Sequence, residues 1–422
     1  MLLTLALLFP ASAPAAPPVI LVSIDGFRAD YLTPENAPNL WKLARAGVSG
    51  PMRPSFPTKT FPNHWTLVTG LRPDRHGIVG NTMADPERPG ELFTMQTDDP
   101  WWWNAAEPIW VTAERQGVRT ATMFWPGSNV NWGGTKPNRW PVVFEGGVRP
   151  SDWHSFNQAV TGKQRVNAVL DWMRRPAAIR PGLVTLYFDT VDTAGHAHGP
   201  DDPRTRAAVA EVDRLIGRLA KELGRRAHLV ITADHGMAAT SSERLIVLDT
   251  LLDPKAFDVL ESWTYASVRP VPGREAEVER ALLRPHPHMQ CWRKADIPAR
   301  LHYGTNRRVG PILCLAETGW GVTKARPARP RAGGDHGYDN AAPEMLALFV
   351  AHGPAFRPGV TLPVFDNVDV QPLLAWLLQI EAPKGDGTAD TFGPALRKTS
   401  ATRGRARRST VHANPVPDPA QP

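Results

Sequence analysis

The sequence predicts an α/β protein with a mostly parallel central sheet, helices on both faces of that sheet, and a small α+β insertion. Two observations lead to this prediction. Uninterrupted apolar runs, typical of strands buried on both faces, alternate along the chain with amphipathic helical stretches. Three of the runs lead into acidic residues, and ligands on such sheets bind beyond the C-terminal ends of the strands.

Four apolar runs are the predicted core strands. The first ends at Asp25, the second ends shortly before Asp192, and the third ends at Asp234. We therefore expect these three carboxylates at one edge of the sheet. The runs are Pro18–Ile24, Leu183–Phe188, His228–Ala233 and Met345–Val350.

Four stretches between the strands are predicted helices. The longest places its apolar side chains on one face and is followed by Gly224, a residue suited to a helix C-terminus. Strands that alternate with helices imply a parallel sheet covered on both sides. The helices are Pro38–Ala46, Glu107–Arg115, Gln158–Met173 and Arg204–Leu223.

The chain has 422 residues, 42% of them apolar, which is enough for one large domain with an insertion. We expect residues 18–254 and 331–392 to form the catalytic core. Residues 255–330 hold closely spaced strand-like pieces and a charged helix, and they are the predicted insertion. Residues 393–422 are predicted to be a disordered basic tail because they are poor in apolar residues.

The first 17 residues are typical of a secretory signal peptide. An apolar run, Leu2–Phe9, is too short to span a bilayer and is followed by small residues. We expect a protein exported to the periplasm or secreted. Elsewhere the sequence has no uninterrupted apolar span, so no membrane-spanning helix is predicted.

The tail concentrates the charge of the chain. It carries six basic residues and one acidic residue, a net charge of +5 out of the total of +7. A solvated tail is the simpler interpretation, and an anchor for an anionic surface is the alternative. We expect a small-molecule substrate and no stable nucleic-acid complex, and the sequence leaves the oligomeric state open.

Two cysteines, Cys291 and Cys314, both lie in the predicted insertion. Export permits a disulfide, but sequence does not show whether the two β-carbons meet. A bridge and two buried thiols are equally compatible with the sequence. Neither cysteine is near the metal-type residues.

Five separate segments carry the carboxylates and imidazoles that a two-metal hydrolase needs. Six side chains are enough for two ions with about three protein ligands each, and zinc accepts both Asp and His. The separation of four between Asp192 and His196 places both on one face of a helical turn. The candidate ligands are Asp25, Asp192, His196, Asp234, His235 and His336.

Thr60 is the candidate nucleophile. Pro62 is typical of the first position of a helix, and the helical pattern continues to Gly70. Thr60 would then lie at a helix N-terminus, which favours a bound anion. A Thr hydroxyl needs activation, which coordination to zinc would supply. The structural alternative is that Thr60 is only an N-cap.

Asn81 is the candidate donor to a phosphate oxygen in the transition state, although a simple turn residue is the alternative. The segment Phe124–Asn129 offers no Lys or Arg beside it. A phosphate monoester dianion usually has its extra oxygen bound by such a cation. The absence therefore favours a diester substrate.

Taken together, the motifs resemble the nucleotide pyrophosphatase/phosphodiesterase family of the alkaline phosphatase superfamily, in its bacterial catalytic-domain type. The resemblance extends from about residue 19 to residue 380. The matching segments are Val22–Arg28, Pro57–His64, Val68–Gly70, His76–Asn81, Glu107–Trp110, Phe124–Ser128, Val191–His196, Ala233–Met237 and Gly334–Gly337.

The resemblance implies an alkaline-phosphatase-like core, two zinc ions and a covalent mechanism. Thr60 would attack phosphorus to give a phosphothreonine, and Asn81 would hold a phosphate oxygen. Phe61 would line the slot for the nucleotide base, with Trp140 or Phe144 opposite. One ion would be held by Asp25, Asp234 and His235, and the other by Asp192, His196 and His336.

The implied activity is hydrolysis of nucleotide phosphodiester or pyrophosphate bonds to nucleoside monophosphates. The alternative is a phosphomonoesterase or phosphonate hydrolase of the same superfamily. The sequence does not indicate the preferred nucleotide, the leaving group or activity on lipid headgroups.

Overall fold

A computed structural model describes residues 16–136, 145–328 and 332–397. Most of the predicted signal peptide, Trp140, Phe144 and the tail after residue 397 lie outside the described residues. The strands are β1 (Val19–Ile24), β2 (Val48–Arg53), β3 (Met83–Ala84), β4 (Leu92–Phe93), β5 (Thr120–Met123), β6 (Asp152–Trp153), β7 (Leu183–Phe188), β8 (His228–Thr232), β9 (Ala238–Thr240), β10 (Leu245–Val247), β11 (Phe257–Glu261), β12 (Tyr265–Pro270), β13 (Met289–Arg293), β14 (Ile312–Ala316), β15 (Gly321–Thr323), β16 (Gly333–Asp335), β17 (Ala347–His352), β18 (Val360–Thr361) and β19 (Phe365–Asp366).

Ten α-helices accompany these strands in the described parts of the chain. They are α1 (Pro38–Ala46), α2 (Thr60–Thr69), α3 (Pro73–His76), α4 (Pro100–Trp103), α5 (Ile109–Arg115), α6 (Gly162–Arg174), α7 (Thr190–His198), α8 (Pro203–Leu223), α9 (Glu275–Leu282) and α10 (Val370–Leu378).

The central sheet has the strand order β18-β2-β17-β8-β1-β7-β5-β6, and β19 also pairs with β2. Strands β8, β1, β7, β5 and β6 run parallel. Helix α8 contacts both α1 and α6, and α2, α5 and α10 form a second group in which each helix contacts the other two. The predicted α/β architecture with a mostly parallel sheet is confirmed.

β17 departs from the predicted parallel order. It is antiparallel to both of its neighbours, β2 and β8. It also begins at Ala347, two residues later than predicted, because residues 343–345 form a turn of 3₁₀ helix. Since β17 is reversed, the segment that precedes it, rather than its C-terminal end, lies at the edge where β1, β7 and β8 end.

Helix boundaries follow local capping. α6 begins four residues later than predicted because Thr161 and Gln164 form a reciprocal capping box. α5 begins at Ile109, after Pro108 at the N-cap. α1 has its predicted bounds, and α8 starts one residue early at Pro203. None of the described helices is long and apolar enough to cross a membrane.

The range 255–330 contains a second, antiparallel sheet with the order β11-β12-β14-β13. Alternate residues of β14 are buried on opposite faces. Leu313 and Leu315 pack into the main core, whereas Ile312 and Cys314 join a smaller core together with Val278 of α9. A disulfide joins Cys291 to Cys314, which lie directly opposite each other on β13 and β14.

Candidate metal and phosphoryl-transfer site

The ends of β8, β1 and β7 bring three carboxylates to one edge of the central sheet. Asp25 follows β1, Asp234 follows β8, and Asp192 lies in the first turn of α7 after β7. Gly26 permits this convergence. Its φ is +69°, and a β-carbon there would come 3.0 Å from the α-carbon of Asp192.

Three histidines present the same ring nitrogen to these carboxylates. The Nδ1 atoms of His196, His235 and His336 lie 2.9, 2.9 and 2.8 Å from the main-chain oxygens of Gly334, Gly236 and Thr58. A carbonyl oxygen only accepts, so each Nδ1 donates its proton. The Nε2 lone pairs are therefore free to bind a metal, an arrangement usual for histidine ligands.

The distances between the Nε2 atoms and the carboxylate oxygens suit ligands that share one metal ion. His235 Nε2 lies 2.9 Å from Asp234 Oδ2 and 3.4 Å from Asp25 Oδ1. Asp192 Oδ1 lies 3.3 Å from His196 Nε2 and 3.6 Å from His336 Nε2. Tetrahedral ligands at about 2 Å from zinc are roughly 3.3 Å apart, so both sets fit that geometry.

Buried oxygens without hydrogen-bond donors strengthen this fit. Within the described residues, Asp25 Oδ1, Asp192 Oδ1 and Asp234 Oδ2 accept no hydrogen bond. Buried carboxylate oxygens are costly without a compensating partner. Burial, and then repulsion by Asp234 and Asp192, raises the pKa of Asp25 well above its ordinary value. A bound cation would relieve both costs.

The residues expected as metal ligands therefore lie together. Asp192, His196 and His336 form one compact group, and His235 lies between Asp25 and Asp234. His64 is also close to Asp25 and Asp234. Both of its ring nitrogens already have other partners, Thr60 O at 2.9 Å and Ser23 Oγ at 2.9 Å. His64 is thus better suited to fixing the site than to binding a metal.

Thr60 lies against this cluster at the start of α2. Its Oγ1 is 3.3 Å from His235 Nε2. The helix begins at Thr60, so Pro62 is its third residue rather than its first as predicted. The difference has a simple cause, because none of the N–H groups of the first turn has a partner within the helix and proline is tolerated there. The helix ends at Gly70 in the left-handed conformation, at the predicted position.

Asn81 is oriented by the first turn of α2. Its Oδ1 accepts a hydrogen bond of 2.9 Å from the main-chain N–H of Phe61. Because Oδ1 is engaged, the amide NH₂ group points elsewhere and is available as a donor. The ring of Phe61 is half-buried, and its centroid lies 6.0 Å from those of both Phe93 and Trp103.

Lys59 is a cation that the sequence analysis missed. Its side chain is buried next to Thr60, with Nζ 3.4 Å from Asp335 Oδ1. A β-carbon at Gly337 would come 2.6 Å from Lys59 Cε, so only glycine permits this approach. Since Asp335 neutralises the ammonium, the pair adds no net charge to the site. Phe124–Asn129 contains no Lys or Arg, as the sequence analysis states, but Lys59 places one cation beside Thr60.

Tyr187 also escaped the sequence analysis. Its hydroxyl donates a 2.6 Å hydrogen bond to Asp25 Oδ2, which leaves Oδ1 facing His235. Burial raises the pKa of Tyr187 well above its ordinary value, so the hydroxyl keeps its proton. Tyr187 lies within a continuous apolar run, and nothing in that pattern distinguishes it from a core residue.

Three comparisons with known proteins agree with this geometry. A sequence model of the type I phosphodiesterase / nucleotide pyrophosphatase family matches residues 19–339. A bis(5'-adenosyl)-triphosphatase of Xenopus laevis is 38% identical over 381 residues, which cover 89% of this chain and 80% of that protein. An uncharacterised pyrophosphatase/phosphodiesterase of Schizosaccharomyces pombe is 36% identical over 408 residues, which cover 91% of this chain and 81% of that protein.

Solved structures are similar throughout the described core. Human ectonucleotide pyrophosphatase/phosphodiesterase 5 superposes with a TM-score of 0.83 at 35% identity, covering 90% of this chain and 100% of that one. The murine form, in an inactive variant in complex with AMP, gives the same TM-score at 34% identity and the same coverage. The chain therefore belongs to the type I phosphodiesterase/nucleotide pyrophosphatase family and is an enzyme of that class.

Proposed function

We propose that the enzyme cleaves nucleotide phosphodiester or pyrophosphate bonds and releases nucleoside monophosphates through a phosphothreonine at Thr60. The observation that carries this proposal is the 3.3 Å approach of Thr60 Oγ1 to His235 Nε2, beside three carboxylate oxygens without donors. The AMP complex of the murine relative supports a nucleotide as the bound ligand.

We assign two zinc ions to the site. Asp25, Asp234 and His235 would hold one, and Asp192, His196 and His336 the other, with Thr60 Oγ1 as a further ligand. When bound, the ions would promote deprotonation of a coordinated hydroxyl or water and stabilise charge on phosphate oxygens. The donor set, three imidazoles and three carboxylates, suits zinc.

The chain's own residues would orient the reaction. Thr60 Oγ1 forms a bond to phosphorus, and the bond to the leaving oxygen breaks as its electron pair departs with the leaving group. Water then cleaves the phosphothreonine and regenerates the hydroxyl. The free amide NH₂ of Asn81 would donate to the non-bridging oxygen on which charge increases. The half-buried ring of Phe61 would stack on the base.

Kinetics on two substrates test this proposal. The enzyme should hydrolyse a nitrophenyl ester of a nucleoside monophosphate much faster than nitrophenyl phosphate, and Thr60→Ala should abolish turnover of the diester. After a chelator has removed the metal, Zn²⁺ should restore diester turnover better than Mg²⁺ or Mn²⁺. A clear preference for nitrophenyl phosphate would instead support a phosphomonoesterase.

The monoesterase or phosphonate hydrolase alternative has one structural observation in its favour. Lys59 directly precedes Thr60, and its buried ammonium is a candidate partner for the third oxygen of a phosphate monoester dianion. Its pairing with Asp335 argues against this use. Lys59→Met would distinguish the two, since it would selectively reduce monoester turnover only if the ammonium binds that oxygen.

We further propose that the protein is exported. The apolar run at Leu2–Phe9 is typical of an export signal. The Cys291–Cys314 disulfide suits an oxidising compartment. Fractionation of cells expressing the full chain, or a chain without residues 1–17, tests this. Export of both forms would exclude the proposed signal.

A further inference from the structure

Asn81 lies in a loop that has no regular secondary structure of its own. This loop, residues 77–82, lies between the end of α3 at His76 and the start of β3 at Met83. Its position therefore depends on side chains from elsewhere. The catalytic core contributes one contact that reaches Asn81 itself, the hydrogen bond from Phe61 N–H to Asn81 Oδ1.

The insertion holds the same loop at three points. An arginine, a tyrosine and a glutamate from residues 255–330 each make a hydrogen bond to the loop's main chain. The bonds run from Arg308 Nη1 to Gly77 O (2.7 Å), from Tyr303 Oη to Val79 O (2.8 Å), and from Thr82 N to Glu261 Oε2 (3.1 Å).

Tyr265 of the insertion packs directly on the loop as well. A β-carbon at Gly80 would lie 3.3 Å from the Tyr265 hydroxyl and 3.7 Å from Glu261 Oε2. The loop thus runs against the insertion along its whole length. A side chain at position 80 would press on the Tyr265 hydroxyl.

The insertion is itself firmly attached to the core beneath the site. The rings of Tyr303 and Tyr265 lie 5.2 and 6.1 Å from that of Phe56, four residues before Thr60. Arg308 is buried and donates a 2.6 Å hydrogen bond to Asp85, just beyond the loop. The insertion therefore forms a fixed support for the loop.

We propose that the insertion acts as a clamp that positions Asn81, with Glu261 and Tyr303 as positioning residues. The inference rests on the role proposed for Asn81 in binding a phosphate oxygen. Such a donor is effective only when it is held near 3 Å from the oxygen, and a misplacement of about 1 Å costs up to roughly 100-fold in rate. Glu261 matters most because it fixes the peptide that directly follows Asn81.

The chemistry of the Glu261 contact distinguishes positioning from mere stability. The main-chain N–H of Thr82 needs an acceptor, which Gln supplies as well as Glu, and Ala does not. Glu261→Ala should lower kcat on a nucleotide diester by about 10-fold with little change in KM, because the lost interaction belongs to the transition state. Glu261→Gln should restore kcat to within about threefold of wild type.

A double-mutant cycle with Asn81→Ala tests whether Glu261 acts through Asn81. Asn81→Ala alone should reduce kcat by about 100-fold, as for other oxyanion donors. Adding Glu261→Ala to it should then cause no further loss. Tyr303→Phe removes only the hydroxyl that donates to Val79 O, and its effect on kcat should resemble that of Glu261→Ala but be smaller. Tyr31→Phe is the matched control, because its hydroxyl binds Pro200 O at 2.7 Å, away from the loop.

The outcomes separate the inference from the proposed function. Independent, multiplicative losses in the double variant, or a Gln variant as slow as Ala, would overturn the clamp while leaving the role of Asn81 intact. An Asn81→Ala enzyme with unchanged kcat would instead refute the proposed role of Asn81. Melting temperatures of all variants, measured alongside, identify any loss of rate that comes only from unfolding.

Discussion

The Nε2 atom of His235 lies 3.3 Å from the hydroxyl oxygen of Thr60, across 175 residues of sequence. The histidine follows β8 and the threonine begins α2, so this contact joins the candidate metal ligands at the sheet edge to the candidate nucleophile on the helix. Because His235 Nδ1 is bonded to Gly236 O, the Nε2 lone pair faces the hydroxyl. The position of the hydroxyl is thus set by the same imidazole that is proposed to bind a metal.

Replacing Thr60 by Val should abolish the reaction without changing the shape of the site. Valine keeps both branches at the β-carbon but has no hydroxyl, so turnover of a nucleotide diester should fall by at least about 10³-fold, the scale seen when a nucleophile is removed. Thr60→Ser, which keeps the hydroxyl, should retain measurable turnover and form a phosphorylated residue detectable by mass spectrometry after acid quenching. Equal rates for the Val and wild-type enzymes would contradict the covalent mechanism.

Tyr187→Phe should weaken metal binding rather than folding. The variant loses only the hydrogen bond to Asp25 Oδ2, which fixes the carboxylate that is proposed to bind one ion. Losing such a supporting bond typically costs about 10- to 100-fold in metal affinity. Competition of the metal-free protein with a chromophoric chelator should show one weakened site and one unchanged site. Tyr31→Phe is the control. If both sites of Tyr187→Phe bind metal as tightly as the wild-type sites do, Tyr187 has no role in metal binding.

The predicted fold and ligand set depended on patterns that have a direct physical cause. The run at Leu183–Phe188 is apolar except for Thr185 because β7 is buried on both faces, and its bounds agree with the prediction. Asp25, Asp192 and Asp234 could be placed together because parallel neighbouring strands end at one edge. β2 was missed because Pro51 interrupts it and it is only partly buried, so it lacks a continuous apolar pattern.

The supporting residues were not predictable for a different reason. Tyr187 lies within a mostly apolar run and His64 within a buried helix, and their partners Asp25 and Ser23 lie 162 and 41 residues away. Glu261 reaches Thr82 over 179 residues and belongs to a segment whose strands follow no simple alternation of apolar and polar residues. Such contacts depend on tertiary packing, which no local periodicity encodes.

Phe61→Ala should reduce recognition of the base and not the chemistry at phosphorus. Stacking of a base on an aromatic ring contributes about 1–3 kcal/mol, so KM for a nucleotide diester should rise by roughly 10-fold. The matched control substrate is an alkyl nitrophenyl phosphate, whose only ring belongs to the leaving group and which has no ring in place of the base. If the alkyl substrate loses as much kcat/KM as the nucleotide does, Phe61 supports α2 instead of binding the base.

Acid should destabilise the protein partly through His228, which lies in the core far from the proposed metal site. Burial, and to a lesser extent the charge of His352, lowers the pKa of His228 from 6.5 to about 4. Between these values the unfolded chain holds a proton that the folded chain does not, so the free energy of unfolding decreases as the pH falls. The slope from this group is at most about 1.4 kcal/mol per pH unit.

His228→Asn should therefore flatten the pH dependence of urea unfolding between pH 4 and pH 6.5. Any loss from altered packing would shift the whole curve equally, and comparison at pH 8 measures that loss separately. Burial also lowers the pKa of His76, to about 3, so a residual slope should persist. A variant curve parallel to wild type throughout would exclude His228 as a source of acid sensitivity.

The reversed strand β17 has a consequence for the order in which the enzyme is made. It lies between β2 and β8, two strands that have no other link across the sheet, and it is preceded by His336. A ribosome must therefore synthesise more than three quarters of the chain before His336, the last of the proposed metal ligands, is made. Only after that can β17 join β2 to β8. Until then no strand joins β2 to β8 and His196 lacks its neighbour His336, so a chain that stops before this point has no complete site, and catalytic competence arrives in one late step.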